Sequence, residues 1–105
     1  MGVLDFFRQP DINGGVQDWL RTPGALLLDV RTPSEYRMGH IPGSVNLPLQ
    51  QLDNVQEITD NEEVPIYVYC QSGARSRQAA ALLERMGYRG IRNIGGIASY
   101  RGKVE

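Results

Sequence analysis

Cysteine occurs once in the 105 residues, as do histidine and tryptophan, and phenylalanine occurs only twice. A single thiol excludes an internal disulfide, a Cys-x-x-Cys redox pair and a cysteine-rich zinc site. Long apolar runs are missing too: the stretch from Val3 to Phe7 is interrupted by Asp5 and is too short for a signal-peptide core or a membrane span. Gly2 stands where a myristoylation motif would begin, but Phe6 takes the position that needs Ser or Thr. Neither sign of charge predominates. With 11 basic and 12 acidic residues the formal net charge is -1, so no overall field draws nucleic acid or an anionic membrane. Any attraction for an anion has to be local. The expectation is a cytoplasmic chain with neither nucleic acid nor membrane as a partner.

What is present suffices for one domain, since an apolar fraction of 41% fills one core of this size and not two. Strand and helix patterns alternate without repeats or low-complexity segments, which points to an α/β fold with a mostly parallel sheet covered by helices on both faces. Asp11 or Asn13 is placed to cap a helix reaching Leu20, and Thr22, Pro23 and Gly24 end it. Residues 25–28 run apolar without alternation, as in a strand buried on both faces. Thr32 as cap, Pro33 in the first turn and Glu35 three residues after the cap announce a second helix, kept short by Gly39, Pro42 and Gly43. Residues 44–47 are a strand candidate, 48–55 a helix candidate and 54–63 a charged surface stretch. Residues 66–69, rich in β-branched and aromatic types, read as a central strand ending at Cys70. From Arg75 onward Ala79, Leu82, Leu83 and Met86 share one helical face, with Gly87 as the stop. A strand at 91–94, Gly95 and Gly96, and a short helix at 97–100 complete the chain.

The chemistry is concentrated where the central strand meets the longest helix. Cys70, Gln71, Ser72, Gly73, Ala74 and Arg75 lie between the carboxyl end of a buried strand and the amino end of a helix, where open α/β sheets place their ligand sites. A loop of small residues there curls so that successive N–H groups point inward, forming an anion-binding nest that the helix dipole reinforces. Gly73 allows a turn denied to bulkier residues. A lone cysteine at the end of an apolar strand would otherwise be a small buried hydrophobe. At the centre of a nest it is expected as a thiolate, the nucleophilic form, and the same donors suit a terminal persulfide sulfur. Arg75 offers a fork of donors suited to a tetrahedral oxyanion such as thiosulfate, and a cation in a helix's first turn is electrostatically misplaced unless an anion joins it. Ser72 and Ser76 add hydroxyls, with helix capping as the competing role. The residues therefore nominate Cys70 and Arg75 as catalytic groups, with Gln71, Ser72, Gly73, Ala74 and Ser76 binding the substrate.

Five segments carry a resemblance. Leu28-Asp29-Val30-Arg31, Glu35-Tyr36, Gly39-His40-Ile41-Pro42-Gly43-Ser44, Tyr69-Cys70-Gln71-Ser72-Gly73-Ala74-Arg75-Ser76 and Gly95-Gly96-Ile97 resemble the rhodanese family in order and spacing, over about residues 11–102. The resemblance implies one rhodanese-like domain across residues 1–105, built on a five-stranded, largely parallel sheet. It implies transfer of a sulfane sulfur from thiosulfate or a related donor to cyanide, a thiol or an acceptor protein, with no metal and no organic cofactor. Asp29 and Arg31 then support the active loop, with a purely structural ion pair as the alternative. His40 invites a role as general base. Its place in a Gly-His-Ile-Pro-Gly turn points instead to a structural hydrogen bond, and an ionised cysteine needs no base. One departure stands out: where many members carry Trp after the final Gly-Gly, this chain has Ser99, Tyr100 and Arg101, of which Tyr100 is expected to wall the pocket and Arg101 to add positive charge.

Two other classes compete with a sulfurtransferase. A Cys-based phosphatase of related fold places five residues between nucleophile and arginine, whereas here only Gln71, Ser72, Gly73 and Ala74 intervene, a ring that closes more tightly around one sulfur. A non-catalytic or regulatory binding module would be expected to lack the nucleophile or the arginine, and this chain keeps both. An oxidant sensor based on Cys70 would need an external thiol for recovery.

Overall fold

A computed structural model describes residues 10–105. Gly2, Phe6 and the stretch from Val3 to Phe7 lie outside the described residues. Helix α1 (Ile12–Leu20) starts where Asp11 caps it, the Asp11 carboxylate accepting the Asn13 N–H at 3.1 Å. Strand β1 (Leu26–Asp29) leads into α2 (Pro33–Met38), opened by a capping box in which the Glu35 N–H donates to the Thr32 hydroxyl and the Thr32 N–H to the Glu35 carboxylate. Strand β2 (Val45–Asn46) follows, and then a 3-10 helix (Leu49–Glu57) broken at Gln51. Its N-cap, Pro48, makes no side-chain cap bond. Strand β3 (Pro65–Cys70), helix α3 (Ala74–Arg85), strand β4 (Gly90–Gly96) and a 3-10 turn (Ile97–Ser99) complete the order.

The strands pair in parallel in the order β2-β1-β3-β4. Of the five strands expected, four lie among the described residues. The residue pattern itself contains only four apolar strand runs, and the fifth came from the resemblance alone. The central strands β1 and β3 are buried along most of their length, and side chains alternate between two cores as the pleat requires. On one face Leu27, Tyr67 and Tyr69 meet Ile12 and Val16 of α1. On the other, Leu28, Ile66, Val68 and Cys70 meet Ala79 and Leu83 of α3, together with Leu52 and Val55. Cys70 therefore belongs to the α3 face. No helix among the described residues is long and apolar enough to cross a membrane.

Parallel pairing also decides which loops are neighbours. Asp29 pairs with Tyr69 and Cys70 with Gly96, so the segments leaving β1, β3 and β4 emerge side by side at the carboxyl edge of the sheet. The register between β3 and β4 slips after Val68, which pairs with Asn93 while Tyr69 pairs with Gly95. This bulge turns the end of β4 against the loop that follows β3.

Candidate active site

Cys70 is the last residue of β3 and is 1% exposed. The chain beyond it turns at Gly73 (φ 105°), the N-cap of α3, a backbone conformation that a β-carbon would strain. The turn brings the Gly73 N–H to 3.0 Å from the Cys70 sulfur, and the Ser76 hydroxyl lies 3.5 Å from it. Gly96 explains how closely β4 approaches: a β-carbon there would run into the Gln71 carbonyl and come within 2.7 Å of the Ser72 α-carbon. Burial pushes the Cys70 thiol up, but hydrogen bonds from the Ser76 hydroxyl and from the N–H groups of Ser76, Gly73 and Ser72 outweigh it, so the thiol sits below its ordinary value. The anion that this loop stabilises is the sulfur of its own cysteine.

Ser76 is fully buried, and its oxygen lies 3.1 Å from the Gly73 carbonyl, 3.4 Å from that of Gly95 and 2.7 Å from Asn93 Oδ1. One hydroxyl proton cannot serve all of these acceptors and a thiolate as well. The shortest contact, to Asn93, keeps the hydroxyl beside the sulfur. Asn93 also accepts the Gly95 N–H at 3.0 Å, so the bulge in β4 is what aims it. Asn93 is not among the residues that the sequence nominates. Its signal was an Asn two residues before a Gly inside a strand, the pattern of a side chain that bonds its own backbone.

Arg75 lies differently from the expectation. Its fork is occupied by Glu35, with Nη1 donating to Oε1 at 2.8 Å and Nη2 to Oε2 at 2.9 Å. The anion that a first-turn cation calls for is supplied by the chain itself. The Arg75 guanidinium, aided by hydrogen bonds from Thr32, lowers the Glu35 carboxyl to about 2 against a smaller opposing effect of burial.

Arg31 is 4% exposed and fully engaged on one side. Nε and Nη2 donate to the carboxylate of Asp29, itself 0% exposed, at 2.7–3.1 Å, and Nη2 also reaches the Gly39 carbonyl at 2.7 Å. Nη1 donates to Gln71 Oε1 at 3.2 Å and thereby touches the cysteine loop. Asn46, another residue not singled out beforehand, donates to the carbonyls of both Asp29 and Arg31 at 3.0 Å and holds the end of β1 in place. His40 takes a structural place. Its Nδ1 bonds the Tyr36 carbonyl at 2.9 Å, its ring stacks on Tyr36 at 3.7 Å, and its Nε2 lies 3.9 Å from a Glu105 carboxylate oxygen.

Two cavities flank Gln71. One of about 450 Å³ is bounded by Ser72, Gly73, Arg77, Asn93 and Ser99; the other, of about 240 Å³, is lined by Arg31, Ser34, Glu35, Met38 and Gln71. Tyr100 walls neither, contrary to expectation, and packs instead with the α1-side core. Arg101 lines neither cavity, its N–H being tied to Asn13 Oδ1 at 2.9 Å. Ser99 and Ala98 take the place beside the larger cavity because the Ala98 N–H bonds the Gln71 carbonyl at 3.1 Å.

A family model described as Rhodanese-like domain matches residues 12–103. The chain belongs to the rhodanese-like family. It is 40% identical over 82 residues to the uncharacterized protein YqhL of Bacillus subtilis, a match covering 77% of this chain and 64% of that protein, so the chain spans just under two thirds of that relative's length. It is 34% identical over 71 residues to the thiosulfate sulfurtransferase PspE of Escherichia coli, covering 67% of this chain and 68% of that one. Among solved structures it is similar to a human single-domain sulfurtransferase, TSTD1, with a TM-score of 0.75 at 28% identity, covering 89% of this chain and 96% of that one. The fold is therefore the rhodanese fold, and the relatives include named sulfurtransferases.

Proposed function

We propose that this chain is a sulfurtransferase that carries a sulfane sulfur as a persulfide on Cys70. The observation that carries the reading is the Cys70 sulfur held by the N–H groups of Ser72, Gly73 and Ser76 and by the Ser76 hydroxyl, on a thiol lowered despite its burial. In the first step the Cys70 thiolate attacks the outer sulfur of thiosulfate. A sulfur–sulfur bond forms to Cys70, the bond to the sulfonate sulfur breaks, and its electron pair leaves with sulfite. In the second step cyanide, a thiolate or an acceptor protein's thiolate attacks the outer persulfide sulfur, and the electron pair of the broken bond returns to Cys70. The sulfur is carried covalently, and neither a metal nor an organic cofactor enters the scheme. Thiosulfate is chosen as donor because of the likeness to the E. coli thiosulfate sulfurtransferase.

For the phosphatase alternative, neither carboxyl considered as proton donor to the leaving oxygen is free to serve. Glu35 is held ionised by Arg75, and the Asp29 carboxylate is enclosed by Arg31. Intact-mass measurement after incubation with thiosulfate tests the reading. One sulfur atom is expected on the protein, removable by cyanide and absent from Cys70→Ser. Sulfur gained equally by Cys70→Ser, or cyanide-dependent sulfite release by that variant, overturns it.

A further inference from the structure

Arg75 has both prongs on Glu35, and Arg31 has Nε and Nη2 on Asp29 and Gly39. Of the buried Arg31 guanidinium, that leaves the Nη1 edge. Among the hydrogen bonds of the described residues, that edge has one partner, the neutral amide oxygen of Gln71 at 3.2 Å, the longest of Arg31's bonds. Gln71 is exposed, while the arginine beneath it is 96% covered. Its backbone is fixed by the Ala98 N–H, so its side chain can turn away without disturbing the loop. The 240 Å³ cavity beside this contact is lined by Arg31 and Gln71 and has room for a small anion. Glu35 also lines it, but both of its oxygens accept from Arg75.

We infer that Nη1 of Arg31 is the anchor for an anionic oxygen of the sulfur donor, and that Gln71 is a displaceable stand-in for that oxygen. An oxyanion on a guanidinium forms a charge-assisted bond about twice as strong as one to a neutral amide, so a sulfonate or carboxylate outcompetes Gln71. Bound there, thiosulfate has its oxygens on Arg31, on the segment that follows β1, at the mouth of the loop that begins with Cys70 and Gln71. Residue 71 then sets how strongly the site selects oxyanion-bearing donors. This deepens the sulfurtransferase reading and rests on it for the identity of the donor.

The test uses the full chain with Gln71→Leu, which cannot accept from Arg31, and Gln71→Glu, which places a permanent carboxylate on it. The KM for thiosulfate is expected to fall several-fold in Gln71→Leu and to rise tenfold or more in Gln71→Glu, in line with the strength of charge-assisted bonds. Ser72→Asp puts the same added charge on the loop beyond the Arg31 contact, and is expected to raise KM less than Gln71→Glu does. Sulfate binding measured by calorimetry in a Cys70→Ser background gives the same order without turnover. Arg31→Lys, with its fold checked by melting, is expected to cancel the gain from Gln71→Leu; should it fail to fold, the Gln71 series alone decides. The subsite is overturned if Gln71→Leu leaves thiosulfate and sulfate affinity unchanged or weaker, or if Ser72→Asp matches Gln71→Glu. The two readings separate cleanly. A chain that takes up no sulfur yet binds sulfate in the expected order refutes the sulfurtransferase and keeps the anion subsite, whereas normal sulfur uptake with sulfate binding indifferent to residue 71 does the reverse.

Discussion

Two arginine–carboxylate pairs flank the cysteine loop, and they are built for different purposes. Asp29 and Arg31 stand two residues apart on the segment leaving β1, are almost wholly removed from solvent, and have their other polar atoms satisfied by Gly39 and Gln71. Glu35 and Arg75 are separated by 40 residues, are each about one-third exposed, and tie the first turn of α2 to the first turn of α3. The first pair is a buried charge that only its partner makes tolerable. The second is a latch, weakly stabilising because water screens it. A charge pair beside an active site thus says little about stability until its burial is known.

The sharpest way to break the comparison is Asp29→Ala. It leaves the Arg31 guanidinium buried without its carboxylate, and we expect a loss of about 3–5 kcal/mol in urea unfolding, against about 1 kcal/mol or less for Glu35→Ala. Equal losses would show that the two pairs do not differ in kind. The next largest effect is expected at Ser76, whose fully buried hydroxyl bonds Asn93 and lies 3.5 Å from the sulfur. Ser76→Ala should cost about 0.5–1.5 kcal/mol by removing the hydrogen bond to Asn93, whose oxygen keeps the Gly95 N–H, and should move the pH midpoint of Cys70 alkylation upward. A midpoint that stays in place would mean that the backbone N–H groups alone hold the thiolate.

The latch can be sharpened by pH. The folded Glu35 carboxyl is depressed to about 2 from an ordinary value near 4.5, so its contribution is present above pH 4.5 and is lost as pH falls towards 2. Between pH 5 and pH 2 the wild type should lose more stability than Glu35→Gln. The difference is expected to be about 1 kcal/mol or less, because the pair is a third exposed. Parallel pH profiles would show that the pair contributes nothing. The smallest effect is reserved for Arg75→Lys, which keeps the charge but removes one prong and should lower the melting temperature by no more than a few degrees. A large loss of fold would assign Arg75 to the buried class.

Much of the local structure was legible from the residues. Thr32, Pro33 and Glu35 spelled out a capping box, Gly73 marked the turn after Cys70, and the unbroken apolar runs of β1 and β3 marked strands covered on both faces. Residues 48–55 were less legible, since Pro48 offers no side chain to cap a helix and the segment forms a broken 3-10 helix. Tyr100 was misplaced for a different reason. Its aromatic character suited either a pocket wall or a core, and only the packing against the α1-side cluster chose between them.

By itself, then, the chain's order of residues determined the alternation of strands and helices and that one loop would surround one cysteine with N–H groups, because caps, turns and strand runs act within a few residues. Three partnerships were decided only by tertiary structure: Arg75 with Glu35, Ser76 with Asn93 and Arg31 with Gln71. Each joins segments that become neighbours because β1, β3 and β4 lie side by side in parallel, with the β4 bulge turning Asn93 towards the Ser76 hydroxyl. A guanidinium can pair with any carboxylate or amide within reach, and reach across 17 to 40 residues is a property of the sheet rather than of the local sequence.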